Sequence, residues 1–357
     1  RGPELRSVIE VNPDAIALAE SLDRERAAGR VRGPLHGIPI LIKDNIDTGD
    51  RMQTTAGSLA LEGSIAPRDA FIVERLRAAG MVLLGKTNLS EWANFRGNQS
   101  SSGWSGRGGQ TRNPYVLDRS PCGSSSGSGA AAAASLATVT IGTETDGSIL
   151  CPSSANGLVG IKPTVGLWSR AGIIPISHTQ DTAGPMCRTV ADAAALLGPL
   201  TGVDPRDPAT TASRGRALDD YRKLLDAGAL RGARIGVIRK HMGISGKTER
   251  VYDEAIRALR EAGAVIVDPV DFADPEALGA AEFQVLLHEF KAGVEAYLAS
   301  LGSKAPHESI ADLIAFNEAN RDRELAIFGQ ETMVAAAATR GLQAPKYRTA
   351  LATCRRL

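Results

Sequence analysis

Apolar and polar positions repeat along the chain with two periods, and the period switches repeatedly between them. From Asp14 to Gly29 the apolar residues Ile16, Ala19 and Leu22 keep helical spacing, with Asp14 placed as N-cap and Gly29 as the stop. Gly37-Ile-Pro-Ile-Leu-Ile-Lys43 is a short apolar run of buried-strand type. Asp69 to Gly80 predicts an amphipathic helix with Ile72, Val73 and Leu76 inward, and Met81 to Leu84 a strand after the glycine. An Ala-rich helix over Ser128 to Leu136 leads into a strand at Thr138 to Ile141; Leu158 to Ile161 predicts a further strand and Thr189 to Leu200 a helix. The Pro-, Asp- and Thr-rich stretch 202–213 predicts a surface loop and a subregion boundary. Beyond it the alternation resumes as helix 217–227, strand Arg234 to Ile238, helix 248–262 and strand Val265 to Val267, and from Ala280 onward the pattern is mostly helical. Strands alternating with helices predict an α/β fold.

Composition removes several function classes. The 41 basic and 40 acidic residues leave a net charge of +1, so there is no basic field for a phosphate backbone and no nucleic-acid partner is expected. The most apolar stretch, Gly129 to Gly142, is mostly Ala with Ser and Thr and reads as helix plus strand, so no membrane partner is expected. No secretory apolar segment stands at the start. The chain runs from Arg1 to Leu357, so a cut or processed end is expected; localisation is cytoplasmic by default, with processed export left open. Cys122, Cys151, Cys187 and Cys354 are widely spaced and form no C-x-x-C pair, which gives zinc and thioredoxin-type chemistry no support. At this length a disulfide framework is not needed.

Serine and glycine concentrate between 97 and 157, most densely in Ser120-Pro-Cys-Gly-Ser-Ser-Ser-Gly-Ser-Gly129. A flexible linker would not run straight into an Ala-rich helix. A phosphate loop lacks the lysine of G-x-x-x-x-G-K-[ST] and the spacing of G-x-G-x-x-G. Gly123-Ser-Ser-Ser-Gly127 fits G-x-S-x-G with Ser125 as an elbow nucleophile, but Pro114 and Pro121 make the preceding stretch a poor central strand. His178, His241, His288 and His307 could each supply its base, and nothing local selects one, so the histidines are read as structural or surface groups. A second cluster, Gly142-Thr-Glu-Thr-Asp-Gly-Ser-Ile149, is a small-residue turn whose successive N–H groups could surround a serine nucleophile and its oxyanion. Taken alone, it reads better as a plain strand-to-helix connection.

Three pieces together resemble the amidase signature family: Gly37-Ile-Pro-Ile-Leu-Ile-Lys-Asp44, Gly123-Ser-Ser-Ser-Gly-Ser128, and Gly142-Thr-Glu-Thr-Asp-Gly-Ser-Ile149 running on to Gly157-Leu-Val-Gly-Ile-Lys-Pro-Thr164. Gly85 to Phe95, Gly103-Trp104, Gly108 to Tyr115 and Gln180-Asp-Thr-Ala-Gly-Pro-Met186 are most similar to its bacterial peptide amidase branch. The likeness is dense over 33–190 and looser beyond, and family members usually run longer, so truncation at the C-terminus is expected. There are departures: Asp146-Gly-Ser-Ile-Leu150 replaces the usual Gly-Gly-Ser-Ile-Arg, Cys122-Gly123 replaces a double glycine, and Ser126 replaces a later one.

What the resemblance implies is a single large α/β domain over 1–357, a mixed sheet covered by helices, with a catalytic core at 33–200 and a mostly helical substrate-side region at 214–357. It implies a Ser–cis-Ser–Lys triad: Ser148 as nucleophile, Ser124 as bridging serine with a cis peptide bond, Lys43 as base. Backbone N–H groups of Thr145, Asp146, Gly147 and Ser148 become the oxyanion-hole candidates, and Ser125 a supporting hydrogen-bonding residue. The chemistry fits these types, because a lysine base must be neutral and burial disfavours its ammonium. Ile38, Ile40 and Ile42 are read as that apolar setting. No metal and no organic cofactor is implied. The expected reaction is hydrolysis of a carboxamide, a peptide C-terminal amide first, to acid and ammonia, with a small-molecule or peptide amide as partner. The rivals are the amidase component of a tRNA-dependent amidotransferase and a non-catalytic binding protein on the same fold. Gln180 and Asp181 are placed near the cleft or in a structural turn, and Trp92, Phe95 and Trp104 along a peptide groove or in ordinary packing. The oligomeric state is not legible.

Overall fold

Ten strands and eleven helices occupy residues 4–239, 245–270 and 275–356, the residues described by the computed structural model. The strands are β1 (Val8–Val11), β2 (Pro39–Lys43), β3 (Val82–Thr87), β4 (Trp104–Ser105), β5 (Gly109–Gln110), β6 (Val139–Glu144), β7 (Val159–Gly160), β8 (Thr182–Cys187), β9 (Arg234–Gly236) and β10 (Val265–Val267). The helices are α1 (Ala15–Ala27), α2 (Phe71–Ala78), α3 (Ser126–Ala133), α4 (Leu150–Ala155), α5 (Val190–Leu197), α6 (Gly246–Glu261), α7 (Pro275–Ser300), α8 (Ile310–Ala319), α9 (Arg321–Glu324), α10 (Glu331–Ala337) and α11 (Pro345–Arg356). Two compact units result, Arg1–Arg222 with Gln284–Arg348, and Lys223–Phe283 with Thr349–Leu357.

In the first unit six strands form one sheet in the order β1-β3-β2-β6-β8-β7. The pairs β2–β3 and β2–β6 are parallel, and the pairs β1–β3, β6–β8 and β7–β8 are antiparallel, so the sheet is mixed as expected. Strand alternation divides β2 between two faces. Ile40 and Ile42 join Ile72, Val73 and Leu76 of α2 and Leu196 of α5 in the larger core cluster. Leu41 packs on the other face against Ala131 of α3. Helix α3 sits close to the sheet because its residues are small. A Cβ at Gly127 would lie 2.4 Å from the carbonyl oxygens of Asn88 and Ser7. A third body of apolar side chains, including Phe290, Val294 and Leu298 of α7 with Leu313 and Met333, closes over Ile174 and Ile176.

The second unit is a small βαβ element: β9 and β10 pair in parallel, with α6 between them in sequence. Several expectations shift here and elsewhere. The predicted helix 217–227 is only a short 3-10 turn, Tyr221–Leu224. Leu218, Leu224 and Leu225 remain exposed, so no apolar stripe is buried to hold a longer helix. The structural turn considered at Asp181-Thr-Ala-Gly184 is instead the start of β8, and Thr182–Cys187 is buried throughout. Gly184 is needed there because a Cβ would lie 2.1 Å from the Ile161 carbonyl oxygen. Trp92 and Phe95 pack edge-on against Phe290, and Trp104 against Phe328, so these rings serve packing; Ala93 is the residue of that stretch that reaches the cavity. No helix among the described residues is long and apolar enough to cross a membrane.

Candidate active site

Lys43 ends β2, and the same alternation that sends Ile40 and Ile42 into the larger cluster puts its side chain on the α3 face with Leu41. The isoleucines therefore do not form its surroundings. Lys43 is fully buried by polar groups instead: its Nζ donates to Ser124 Oγ at 2.8 Å, Thr143 Oγ1 at 2.9 Å, Ser125 Oγ at 3.1 Å and the Thr143 carbonyl at 3.2 Å. Burial lowers its pKa to about 7, against the pull of the Asp181 and Glu144 carboxylates. Near neutral pH a large share of Lys43 is thus a free amine, able to accept a proton from the hydroxyl it touches.

Ser124 enters through a cis Gly123–Ser124 peptide bond, and its carbonyl accepts the Ser90 N–H at 3.0 Å. Ser125 is spent on structure. Its hydroxyl donates to the Thr143 carbonyl and accepts from the Thr143 N–H, while its own N–H donates to the Ser148 carbonyl at 3.1 Å. That arrangement leaves Ser125 without a free hydroxyl proton for an elbow-type attack.

Ser148 lies in the turn between β6 and α4. Glu144 holds the far side of this turn by accepting the N–H groups of Ile149 at 2.6 Å and Leu150 at 2.9 Å. Thr145 holds the near side by donating its hydroxyl to Asp181 at 2.5 Å. Gly147 sits at φ +79°, a left-handed conformation that favours glycine. Among the described residues, the N–H groups of Asp146, Gly147 and Ser148 donate to no protein acceptor. Asp146 itself is exposed. No hydrogen bond joins the Ser124 and Ser148 hydroxyls among the described residues, although both serines line one cavity of about 610 Å³. Its walls include Ile173 to Ile176 and, from α7, Gly293, Ala296 and Tyr297. Tyr297 donates to Asp47 at 2.8 Å, and burial pushes the Asp47 carboxyl up to about 6.

One expectation about cysteine needs correction: Cys122 and Cys151 form a disulfide with their Cα atoms 5.8 Å apart. Their distance in sequence hid the pairing, because it is the fold that brings the loop before Ser124 beside the helix after Ser148. Among the described residues, no group of three or more potential ligands is placed to hold a metal ion.

The Amidase family model matches residues 3–353. The chain belongs to the amidase family. Among its relatives, an Arabidopsis thaliana protein named a probable amidase is 47% identical over 98% of this chain and 68% of its own length. The crystal structure of native peptide amidase from Stenotrophomonas maltophilia is 58% identical, with a TM-score of 0.95 over 100% of this chain and 72% of that one. A glutamyl-tRNA(Gln) amidotransferase subunit from Acidothermus cellulolyticus is 42% identical over 73% of this chain and 51% of its own length. The chain spans 68% and 46% of the length of two of the curated relatives it matches. These likenesses place it among amide-hydrolysing enzymes.

The family resemblance read from sequence thus stands. Sequence reasoning named Lys43, Ser124, Ser125 and Ser148: the Lys43 amine touches the hydroxyls of Ser124 and Ser125, and Ser148 lines the same cavity as Ser124. That reasoning gave no role to Thr143, Asn45 or Glu144. Glu144 had a legible signal, an acidic residue just ahead of a helix N-terminus. Thr143 and Asn45 had none, because their contact, Asn45 Nδ2 to Thr143 Oγ1 at 3.0 Å, joins β6 to the turn after β2, two segments far apart along the chain.

Proposed function

We propose that the protein hydrolyses the C-terminal carboxamide of peptides to the free acid and ammonia, with Ser148 as nucleophile, Ser124 as proton bridge and Lys43 as base. The observation that carries this reading is the contact of 2.8 Å between the Lys43 Nζ and Ser124 Oγ, beneath a cavity that Ser148 also lines. Neutral Lys43 takes the Ser124 proton as Ser124 takes that of Ser148, and the Ser148 oxygen bonds to the amide carbon. The oxygen of that amide gathers charge next to the N–H groups of Thr145, Asp146, Gly147 and Ser148. The C–N bond then breaks, and the proton held by Lys43 returns through Ser124 to the leaving nitrogen as ammonia. Water attacks the acyl-Ser148 ester along the same proton path in reverse, releasing the acid and restoring Ser148. Within one amidase domain over 1–357, we assign catalysis to 33–200, and the contribution of α7 to the cavity supports a substrate-side role for part of 214–357.

The 58% identity to a peptide amidase, against 42% and 30% to two amidotransferase subunits, supports the peptide amide over the amidotransferase reading. The test is incubation with a small peptide amide, followed by mass spectrometry, with Ser148→Ala as control. NH2-to-OH exchange at the C-terminus that vanishes in Ser148→Ala is the expected result. Exchange that persists in that variant overturns the nucleophile assignment. Absence of exchange in folded protein overturns the peptide substrate and directs the assay to glutamine with an amidotransferase partner protein.

A further inference from the structure

Asp181 lies outside the three serine-and-lysine motifs, yet its carboxylate receives three donors from two different parts of the site. Thr145 Oγ1 donates to Oδ1 at 2.5 Å, and the N–H groups of Ile176 and Ser177 donate to Oδ2 at 2.9 and 2.8 Å. Thr145 stands three residues before Ser148, in the turn that carries it. Ile176 belongs to the cavity wall. The loop that supplies the N–H donors is itself anchored to α7: buried Glu289 accepts from Ser177 Oγ at 2.6 Å, from the Thr179 N–H at 3.0 Å and from Tyr347 at 2.6 Å.

We propose that Asp181 is a positioning residue for the reaction, clamping the Ser148 turn to the substrate-cavity wall through Thr145. The inference rests on the assignment of Ser148 made above. The Thr145 hydroxyl and the two N–H groups fill both carboxylate oxygens, so the clamp has a defined geometry rather than a loose charge contact. Losing these hydrogen bonds frees the turn that carries Ser148.

Asp181→Asn can keep the clamp, its amide nitrogen donating to Thr145 Oγ1 and its oxygen accepting a backbone N–H, but carries no charge. Asp181→Ala and Thr145→Val remove the clamp from either end, while Thr145→Ser retains the hydroxyl. The first readout is the rate of covalent labelling of Ser148 by a fluorophosphonate, which needs no knowledge of the substrate. Thr145→Val and Asp181→Ala should each slow labelling by about 10- to 100-fold, the cost of misplacing a reacting group by about an ångström. The double variant should be no slower than Asp181→Ala, and Thr145→Ser should restore the rate. The second readout is rescue: Asp181→Asn, which keeps the clamp, should be labelled faster than Asp181→Ala. Thermal melting separates folded from unfolded variants, and Thr145→Val keeps the test usable where Asp181→Ala fails to fold. Wild-type labelling at Ser148 with Thr145→Val unaffected, with additive single and double effects, or with Asp181→Asn no faster than Asp181→Ala overturns the inference alone. A folded wild type that is not labelled at Ser148 overturns the nucleophile assignment and the inference with it.

Discussion

Replacing Lys43 by Met should destroy activity and yet stabilise the protein at acid pH, because the wild-type site buries a charge that the fold disfavours. Met has similar length, and the position is fully buried. The fall of Lys43 from 10.5 to about 7 corresponds, at about 1.4 kcal/mol per pH unit, to about 5 kcal/mol of penalty on the charged form. The sign follows from proton counting. Below pH 7 Lys43 is protonated in both folded and unfolded chains, so the whole penalty weighs on the fold. Between about 7 and 10.5 the unfolded chain still holds the proton and the folded one does not, so wild-type stability rises with pH. Met titrates nowhere. Between pH 6 and pH 9 the stability difference between the two proteins should therefore shift by about 2–3 kcal/mol in favour of wild type. The hydrogen bonds lost at Ser124, Ser125 and Thr143 add a cost that hardly varies with pH, and titrations of groups that do not interact with Lys43 cancel in the comparison. Urea denaturation of both proteins at pH 6, 7.5 and 9 measures the shift, alongside amidase activity, whose wild-type acid limb should fall near pH 7. A stability difference independent of pH would refute the depressed lysine, and residual activity in Lys43→Met would refute its role as base.

Two further predictions concern how the serines are held. Gly127→Ala places a Cβ 2.4 Å from two carbonyl oxygens and 2.6 Å from the Asn88 nitrogen, all backbone atoms. It should cost about 1–3 kcal/mol and lower activity by shifting the start of α3 next to Ser124, read by melting and by rate. Removing the Cys122–Cys151 disulfide, which closes a loop with a sequence separation of 29, should cost about 3–4 kcal/mol by the chain-entropy relation. Denaturation of Cys122→Ala/Cys151→Ala, or of the reduced protein, measures it; unchanged stability would refute the pairing.

Local pattern carried much of the architecture. The apolar run before Lys43, the amphipathic spacing of Ile72, Val73 and Leu76, and the strand–helix alternation around them were legible, because burial on a strand or a helix face leaves a period in the sequence. The three motifs also named Lys43, Ser124 and Ser148, each a residue type that acyl transfer requires. Other features had no local trace. Strand β8 hides behind Thr-Ala-Gly-Pro, which reads as a turn until Gly184 is seen to admit the Ile161 carbonyl. Period two made Ile40 and Ile42 look like neighbours of Lys43, whereas the same period sends them to the opposite face. The disulfide, the Thr145–Asp181 clamp and the anchoring of 177–179 by Glu289 join residues far apart along the chain. Such contacts depend on where strands and loops meet in space. A polar residue partnered across the fold looks, in one dimension, like any other polar residue, and so only tertiary structure decided which carboxylate clamps the Ser148 turn.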